Sequence, residues 1–161
     1  MLMRVDVISD THGYLDPKLL KQLEGADVIV HAGDICSFSD LMRLQNIAHV
    51  QAVLGNNDWA SEYGGMLSNV VSFTLLGITW EVSHYKQRLH PGEFDIIVSG
   101  HTHRPALKRT PEGALAINPG SATRPRSEKP ASFARVMLDQ GRIVSASILS
   151  LDGDVLEEMV F

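Results

Sequence analysis

The stretch VDVISDTH, residues 5–12, decides the fold because it joins a strand pattern to polar side chains. Residues 5–9 are rich in β-branched side chains and end at a polar turn, which predicts a buried β-strand. Asp10 and His12 follow at once, and residues two apart in an extended segment point to the same side. We therefore expect a carboxylate and an imidazole to lie together at the end of this strand.

A helix and a second strand follow at the spacing of a βαβ unit. Residues 17–24 carry leucines at helical spacing between a proline and a glycine. Residues 27–32 form a second apolar strand, and Asp34 follows its end. A βαβ unit implies parallel strands and a right-handed crossover. Asp10, His12 and Asp34 are therefore predicted to meet at one edge of the sheet, where ligands of open α/β sheets collect.

Polar side chains also follow three later strands. They are Asn56 after residues 51–54, His84 after the hairpin of residues 70–75 and 78–82, and His101 with His103 after residues 95–99. A second helix, capped by Ser37 or Ser39, is predicted to run to about His49. Two further hairpins are predicted, residues 107–109 with 114–117 and residues 132–138 with 142–149.

The order of these elements predicts the architecture. A parallel βαβα segment comes first and mostly antiparallel strands follow, which favours two sheets packed face to face with helices outside. No repeat, low-complexity segment or linker divides the chain, so we expect one domain spanning residues 1–161.

The composition is that of an ordinary globular protein, with 44% apolar and 20% charged residues. The net charge of −5 argues against a protein that binds nucleic acid over its whole surface. Residues 104–129 nevertheless carry six cationic side chains against two acidic ones. A positive lip that attracts anions is therefore expected beside the histidine pair.

Cys36 is the only cysteine, which excludes an intramolecular disulfide and favours a reducing compartment. A strand pattern starts within the first residues and leaves no room for a signal peptide. No apolar run approaches the ~20 residues that span a bilayer. We expect a cytoplasmic protein without a membrane partner.

The side chains at the strand ends form one set of oxygen and nitrogen donors: Asp10, His12, Asp34, Asn56, His84, His101 and His103. Seven donors are too many for one metal ion and suit two ions that share a carboxylate. Carboxylate and imidazole without thiolate favour manganese, iron, nickel or zinc over calcium or a structural zinc site. Two such ions about 3.5–4 Å apart activate water and clamp phosphoester oxygens. Their surplus positive charge attracts an anion, so the set predicts a phosphoester hydrolase.

Several motifs, in this order, resemble the calcineurin-like metallophosphoesterase superfamily: Asp10-x-His12, Gly33-Asp34, Gly55-Asn56-x-Asp58, His84 and Gly100-His101-x-His103. A later segment, residues 118–121 (NPGS) followed by residues 124–126 (RPR), resembles its small bacterial and archaeal phosphodiesterase branch. The resemblance spans residues 3 to about 138. It implies an α/β fold, a four-layer αββα sandwich of two mixed β-sheets. It also implies a phosphodiesterase in which a hydroxide that bridges two metals attacks phosphorus in line.

The resemblance assigns each donor to an ion. Asp10, His12 and His103 would hold the first ion, and Asp34 would bridge. Asn56, His84 and His101 would hold the second. The implied cofactor is two divalent ions per chain, with manganese first and nickel, iron or zinc as alternatives. The implied partner is a small phosphoester substrate.

Two positions depart from the superfamily pattern. Asn57 stands where the family often has a histidine that stabilises the transition state or protonates the leaving group. An amide donates a hydrogen bond to a phosphoryl oxygen but delivers no proton at pH 7. Asn57 is therefore predicted to bind substrate at the catalytic position, with a preference for diesters or good leaving groups. Tyr85 stands where the family usually has glycine, which leaves His84, or His90 in its place, as the ligand there.

Arg124 is predicted to contact the substrate phosphate from the positive lip. A scaffold or binding protein on the same fold is an alternative function, since fold does not determine function and the superfamily includes a retromer subunit of similar size. A nuclease would need a basic or aromatic groove, and a phosphomonoesterase is a further alternative. The complete set of seven donors favours the phosphodiesterase.

The other polar residues receive structural interpretations. His31 is assigned to the core or to support of the donors, Asn118 to support or to its own turn, and Asp58 to fixing the turn in which it lies. Cys36 is interpreted as a buried, inert thiol. Exposed hairpins and the apolar residues 159–161 favour a homo-oligomer.

Overall fold

The computed structural model of the chain describes residues 1–161 and contains two mixed β-sheets. The strands are β1 (Leu2–Ile8), β2 (Val28–His31), β3 (His49–Ala52), β4 (Val70–Leu75), β5 (Ile78–Ser83), β6 (Ile96–Val98), β7 (Ala106–Arg109), β8 (Leu115–Asn118), β9 (Ser132–Asp139), β10 (Arg142–Ser150) and β11 (Val155–Val160). The helices are α1 (Pro17–Leu23) and α2 (Phe38–Gln45), with 3₁₀ turns at Ala60–Tyr63 and Lys86–Arg88.

The first sheet has the strand order β11-β10-β9-β1-β2-β3. β1, β2 and β3 pair in parallel, whereas β9, β10 and β11 join as antiparallel neighbours. Because the first three strands run in parallel, their carboxyl ends lie at one edge of the sheet. The loops after β1 and β2 leave this edge carrying Asp10 and Asp34.

Both α-helices have local reasons to start where they do. The Asp16 side chain accepts a hydrogen bond from the Lys18 amide and caps α1, while Ser37 accepts one from Asp40 and caps α2. These caps satisfy amides that lack a partner within the helix. The helices bury leucines against the outer face of the first sheet, which fixes the βαβ crossovers.

The second sheet has the strand order β4-β5-β6-β8-β7, with β5, β6 and β8 in parallel. Alternate residues of its strands face the first sheet, so that Trp80, Val82 and Ile96 pack in one core with Val5 and Val7. This two-residue period is the one expected for a strand with one buried face. The carboxyl ends of β5 and β6 point to the same edge as β1, and they carry the histidines of the second half of the chain.

The predicted α/β fold with two mixed sheets is confirmed. The layer outside the second sheet contains the 3₁₀ turn Lys86–Arg88 in place of an α-helix. The prediction that α2 continues to about His49 is wrong, because the helix ends at Gln45 and His49 begins β3. β11 was not expected from its sequence, which carries paired glutamates among its apolar residues. None of the helices has both the length and the apolar character needed to cross a bilayer.

Candidate metal centre

All seven predicted donors converge at the shared edge of the two sheets. Asp10 and His12 follow β1, Asp34 follows β2, and Asn56 follows the segment after β3. His84 follows β5, and His101 and His103 follow β6. The first sheet therefore supplies all the oxygen donors and one imidazole, and the second sheet supplies the other three imidazoles.

The first group of donors consists of Asp10, His12 and His103. The Nε2 atom of His103 lies 3.2 Å from Asp10 Oδ1 and 3.2 Å from His12 Nε2. His12 Nε2 is 3.8 Å from the same Asp10 oxygen. These separations suit three atoms that face a common cation.

The second group surrounds the side chain of His84. Its Nε2 atom lies 2.9 Å from Asn56 Oδ1 and 3.5 Å from Asp34 Oδ2. His101 Nδ1 lies 3.2 Å from the same Asn56 oxygen and 3.3 Å from His84 Nε2. Ligand atoms of Asp10, Asp34 and His84 also lie within 4.8 Å of one another.

Two carboxylates border both groups. Asp34 Oδ2 lies 3.7 Å from His12 Nε2 and 3.5 Å from His84 Nε2, which suits the bridging position that the resemblance assigns to it. Asp10 Oδ1 is 3.8 Å from His84 Nε2 as well, so its oxygen also faces the second group. The boundary between the groups is thus formed by two carboxylates, whereas the sequence motifs assign a bridge to Asp34 alone.

The Asp10 carboxylate provides the clearest test of whether a cation fits here. Its Oδ2 atom accepts hydrogen bonds from Ser9 Oγ at 2.5 Å and from the His101 amide at 3.1 Å. Its Oδ1 atom is fully buried and has no hydrogen-bond partner. A buried carboxylate oxygen without a partner carries a large desolvation penalty. A divalent cation between Asp10 Oδ1 and the imidazoles removes that penalty, so the donors fit a metal.

Two of the imidazoles are oriented by hydrogen bonds on the side away from the centre. His84 Nδ1 donates to the Ala32 carbonyl at 2.8 Å, and His103 Nδ1 donates to the Arg124 carbonyl at 2.6 Å. Each bond directs the unprotonated Nε2 lone pair into the cluster, which is the usual arrangement of a metal-binding histidine. Burial lowers the pKa of His12, although Asp34 and Asp10 act in the opposite direction, and the neutral imidazole is the form that binds metal.

The loops that carry the donors are not extended strands. Left-handed φ angles occur at Asp10 (54°), His12 (51°), Asp34 (59°), Cys36 (61°), His101 (69°) and His103 (59°). The expectation that extended geometry brings residues two apart to one side is therefore wrong at these loops. Asp10 and His12 still converge, as do His101 and His103, because both members of each pair lie at left-handed turns of the chain. Such conformations cost about 1–3 kcal/mol each in non-glycine residues and persist only where the surroundings enforce them.

Asp58 connects two of the donor-bearing loops, the one after β2 and the one after β3, to the 3₁₀ turn Ala60–Tyr63. Its Oδ2 atom accepts hydrogen bonds from the amides of Asp34, Ile35 and Gly55, and its Oδ1 atom accepts from the Cys36 amide and the Tyr63 hydroxyl. Burial by itself raises the pKa of Asp58, but the hydrogen bonds to its carboxylate together lower the pKa by more than burial raises it. The net pKa therefore lies below its usual value. The interpretation of Asp58 as a residue that fixes the turn agrees with these contacts.

Two motif glycines leave room for the carboxylates. A Cβ atom at Gly100 would overlap Ser9 Oγ and stand 2.7 Å from Asp10 Oδ2. A Cβ atom at Gly55 would overlap the backbone and carboxylate of Asp34. Any side chain at these two positions displaces a donor of the centre.

The turn of residues 118–124 forms hydrogen bonds to the backbone that carries the first group. Asn118 Nδ2 donates to the Gly100 carbonyl at 3.1 Å, and its Oδ1 accepts from the Gly120 amide, so it supports the turn as expected. Ser121 Oγ donates to the Asp10 carbonyl at 2.8 Å, and Thr123 Oγ1 lies 3.1 Å from the same oxygen. Ser9, Ser121 and Thr123 were missed by the sequence analysis. The polar turn itself was recognised, but nothing in its pattern indicates which hydroxyl reaches Asp10.

The two predicted substrate contacts lie at the rim. The Asn57 amide donates to Asp34 Oδ1 at 2.8 Å and its Nδ2 donates to Asp34 Oδ2 at 3.0 Å. The side chain of Asn57 is exposed, so it can reach a ligand as well as orient Asp34. The Arg124 side chain is exposed and makes no hydrogen bond. After burial, its positive charge is a further cause that acts to lower the pKa of His12.

Tyr85 packs against the donors and does not displace them. Its ring centroid is 4.7 Å from that of His101 and 5.4 Å from that of His84. His90 lies outside the centre, where its amide and ring contact the Glu81 carboxylate. His84 is therefore the histidine that the structure brings to the second group.

Two further residues flank the centre. His31 is fully buried, with Nε2 2.9 Å from Thr11 Oγ1, and burial lowers its pKa to about 4; it supports the loop after β1, as expected. Cys36 is half-buried, not fully buried as expected, and its Sγ atom lies 3.9 Å from His12 Nδ1. Burial raises the pKa of the thiol to about 12.

The chain is similar to known proteins over its whole length. A protein of Methanothermobacter thermautotrophicus named "Probable metallophosphoesterase" is 30% identical over 175 residues, covering 99% of this chain and 99% of its own. Phosphodiesterase YfcE of Escherichia coli is 32% identical over 171 residues, covering 86% of this chain and 88% of its own.

Solved structures share the fold. The structure of YfcE, described as a phosphoesterase from E. coli, matches with a TM-score of 0.76 at 25% identity and covers 98% of this chain and 99% of its own. Vacuolar Protein Sorting 29 from Cryptosporidium parvum matches with a TM-score of 0.81 at 25% identity and covers 99% of both chains. A family model described as "Calcineurin-like phosphoesterase superfamily domain" matches residues 3–141. The chain therefore belongs to the calcineurin-like phosphoesterase superfamily.

Proposed function

We propose that the chain is a phosphodiesterase that depends on two divalent metal ions. Asp10, His12 and His103 would hold one ion, Asn56, His84 and His101 would hold the other, and Asp34 would be shared by both. The observation that carries the proposal is the buried Asp10 Oδ1, which has no hydrogen-bond partner and lies among imidazole nitrogens of both groups.

Divalent ions at these donors would supply Lewis acidity and lower the pKa of a coordinated water towards neutrality. The chain itself supplies charge balance and orientation. Asp10 and Asp34 neutralise only part of the charge of two ions, so an anionic phosphodiester is attracted. His84 and His103 are already held with Nε2 towards the centre, and need no reorientation when metal binds. Manganese is the first choice of metal, followed by nickel, iron or zinc.

The preference for diesters rests on Asn57. Its amide reaches Asp34 and the solvent-exposed rim, where it can donate a hydrogen bond to a phosphoryl oxygen. It has no proton to give to a poor leaving group at pH 7. Aryl diesters are therefore expected to react faster than alkyl monoesters. We further propose that the substrate is a small phosphoester. We also propose a cytoplasmic location, because a single cysteine that forms no disulfide suits a reducing compartment.

A binding protein without hydrolytic activity is the second candidate. It is favoured by the close match to Vacuolar Protein Sorting 29, which is at least as good as the match to YfcE. The donor set favours hydrolysis, because a surface that only binds partners does not need a buried, unpaired carboxylate oxygen at its centre.

Hydrolysis assays separate the two candidates. Metal-stripped protein is assayed with bis(p-nitrophenyl) phosphate, with p-nitrophenyl phosphate and with the alkyl monoester glycerol 3-phosphate after addition of manganese, nickel or zinc. We expect metal-dependent cleavage, faster for the diester, together with two bound ions per chain. Asp34→Asn is expected to lower kcat by at least about 100-fold. The matched control is Asp27→Asn. Asp27 is an exposed carboxylate that accepts a hydrogen bond from the Arg4 backbone amide, and its replacement is expected to retain the activity.

Two results would contradict this proposal. Absence of turnover with every metal, despite two bound ions, would exclude the phosphodiesterase and favour the binding protein. Faster cleavage of an alkyl monoester than of the aryl diester would refute the role assigned to Asn57.

A further inference from the structure

A groove runs along the outer face of the second sheet, beside the metal centre. Its volume is about 680 Å³, within the range of pockets that bind small molecules. It is lined by residues of β6, β7 and β8 and by the loop of residues 85–91. Of the seven metal donors only His101 lines it, so the groove adjoins the centre without being part of it.

The strand register defines the floor of this groove. Ile97 pairs with Ala116, and Ala116 pairs with Lys108, so the three residues form a row across the outer face. Leu89 and Pro91 wall the groove on the side of the loop. Although Ile97 faces away from the core between the sheets, it is only 7% exposed. The floor therefore offers a sheltered apolar surface on which a ring can lie.

The lining of the groove is cationic. Lys86, Arg104 and Lys108 line it against a single carboxylate, Glu112. None of the three cationic side chains takes part in an ion pair or a hydrogen bond in the structure. Unpaired cations around an apolar floor complement a ligand that combines a ring with a negative charge.

Tyr85 and His101 connect the groove to the metal centre. Both line the groove, their rings are 4.7 Å apart, and His101 Nδ1 lies 3.2 Å from Asn56 Oδ1. From Asn118 back to Leu115, β8 extends about 10 Å along the groove, at about 3.3 Å per residue. A phosphodiester at the centre thus has room for one nucleoside-sized arm in the groove.

From these contacts we infer that the groove binds one ester arm of the substrate, with its ring on Ile97 and Ala116 and a second negative charge at Lys108. The inference rests on the proposed phosphodiesterase function and adds the substrate class. That class is a phosphodiester with one large arm, of nucleotide type, that carries a further anionic group. Lys86 and Arg104 contribute positive charge along the same arm.

Three p-nitrophenyl diesters that differ only in the second arm test this inference. The arms are methyl, 5′-thymidyl and 5′-thymidyl with a 3′-phosphate, and water displaces p-nitrophenolate from phosphorus in each. We expect kcat/KM to rise by about tenfold from the methyl to the 3′-phosphorylated arm, mainly through KM. Lys108→Ala should abolish the advantage of the 3′-phosphate, and Ala116→Trp that of the thymidyl arm. Lys21→Ala, which removes an exposed charge of α1, should leave the ratios unchanged.

Binding to the metal-stripped protein provides a readout that is independent of turnover. Calorimetry with thymidine 3′,5′-bisphosphate should give a Kd about tenfold weaker in Lys108→Ala and in Ala116→Trp than in the parent protein. Circular dichroism checks that Ala116→Trp is folded, and Lys108→Ala tests the same groove without a bulky side chain.

The outcomes separate the groove from the proposed function. Equal kcat/KM for all three diesters, with binding that neither variant changes, would overturn the inference and leave the phosphodiesterase standing. Binding that both variants weaken, without hydrolysis of any diester, would support the groove and contradict the phosphodiesterase.

Discussion

Replacing Asp58 with asparagine removes the charge and part of the hydrogen bonding of this carboxylate but keeps the size of the side chain. Asp58 accepts bonds from the amides of Asp34, Ile35, Gly55 and Cys36 and from the Tyr63 hydroxyl. Asparagine has the same size but only one acceptor oxygen. That oxygen can replace Oδ2, and the Tyr63 hydroxyl can rotate to accept from the new amide. The Cys36 amide then faces an NH₂ group and has no acceptor.

The expected loss follows from these contacts. One orphaned amide costs about 1–3 kcal/mol, and the loss of charge-assisted bonding adds about 1 kcal/mol. The free energy of unfolding of Asp58→Asn is therefore expected to fall by about 3 kcal/mol. For a chain of this length that corresponds to a decrease in Tm of about 6–12 °C. Urea titration measures the first quantity and calorimetry the second.

The pH dependence has a defined sign. Because the pKa of Asp58 is lowered in the folded protein, its stabilisation is present above the unfolded pKa of about 4 and is lost as the pH falls through the folded value. The difference in stability between the parent protein and Asp58→Asn should therefore shrink below about pH 4.

Asp27→Asn is the control, since Asp27 is exposed and its bond from the Arg4 amide can be accepted by asparagine. A loss of less than about 1 kcal/mol in Asp58→Asn, or an equal loss in the control, would refute the reasoning.

Three further substitutions test the centre itself. Gly100→Ala places a methyl group against the Asp10 carboxylate and should abolish metal binding at the first group. The control is Gly92→Ala, which should bind metal normally because the nearest atom to an added Cβ is 4.0 Å away. Equal metal content in the two variants would contradict the steric argument. His84→Ala should reduce metal content towards one ion per chain, measured by plasma mass spectrometry, with His90→Ala as the control, and an unchanged stoichiometry would remove His84 from the ligand set. Asn57→His supplies a group with a pKa near 6.5 and should raise the rate on an alkyl monoester such as glycerol 3-phosphate, relative to the aryl diester, by about tenfold or more, because only the alkoxide leaving group needs a proton. An unchanged ratio would show that no proton donor acts at this position.

The convergence of the seven side chains was predictable because strand periodicity and chain order carry their positions. Each apolar strand ends at a polar residue, and parallel pairing of β1 with β2 brings Asp10 and Asp34 to one edge. The edges of β5 and β6 follow the same rule for His84 and His101. These are local signals, since each depends on a strand and the few residues after it.

The supporting contacts were not predictable because they join residues far apart in sequence. Ser121 reaches Asp10 across 111 positions, and neither residue has a local pattern that indicates the other. The strand β11 was missed for a related reason, as its glutamates obscure the alternation and only pairing with β10 makes it a strand.

The sequence by itself determined the order of most elements, the seven polar side chains that follow the strands and the edge at which they meet, because hydrophobic period and parallel pairing are properties of neighbouring residues. Only the tertiary structure decided that Asp10 borders both groups together with Asp34, which carboxylate oxygen is left unpaired, and that a groove lies beside His101. Those features depend on the left-handed loops after β1, β2 and β6, of which Asp58 fixes the one after β2. They also depend on two sheets whose mutual packing no single stretch of sequence encodes.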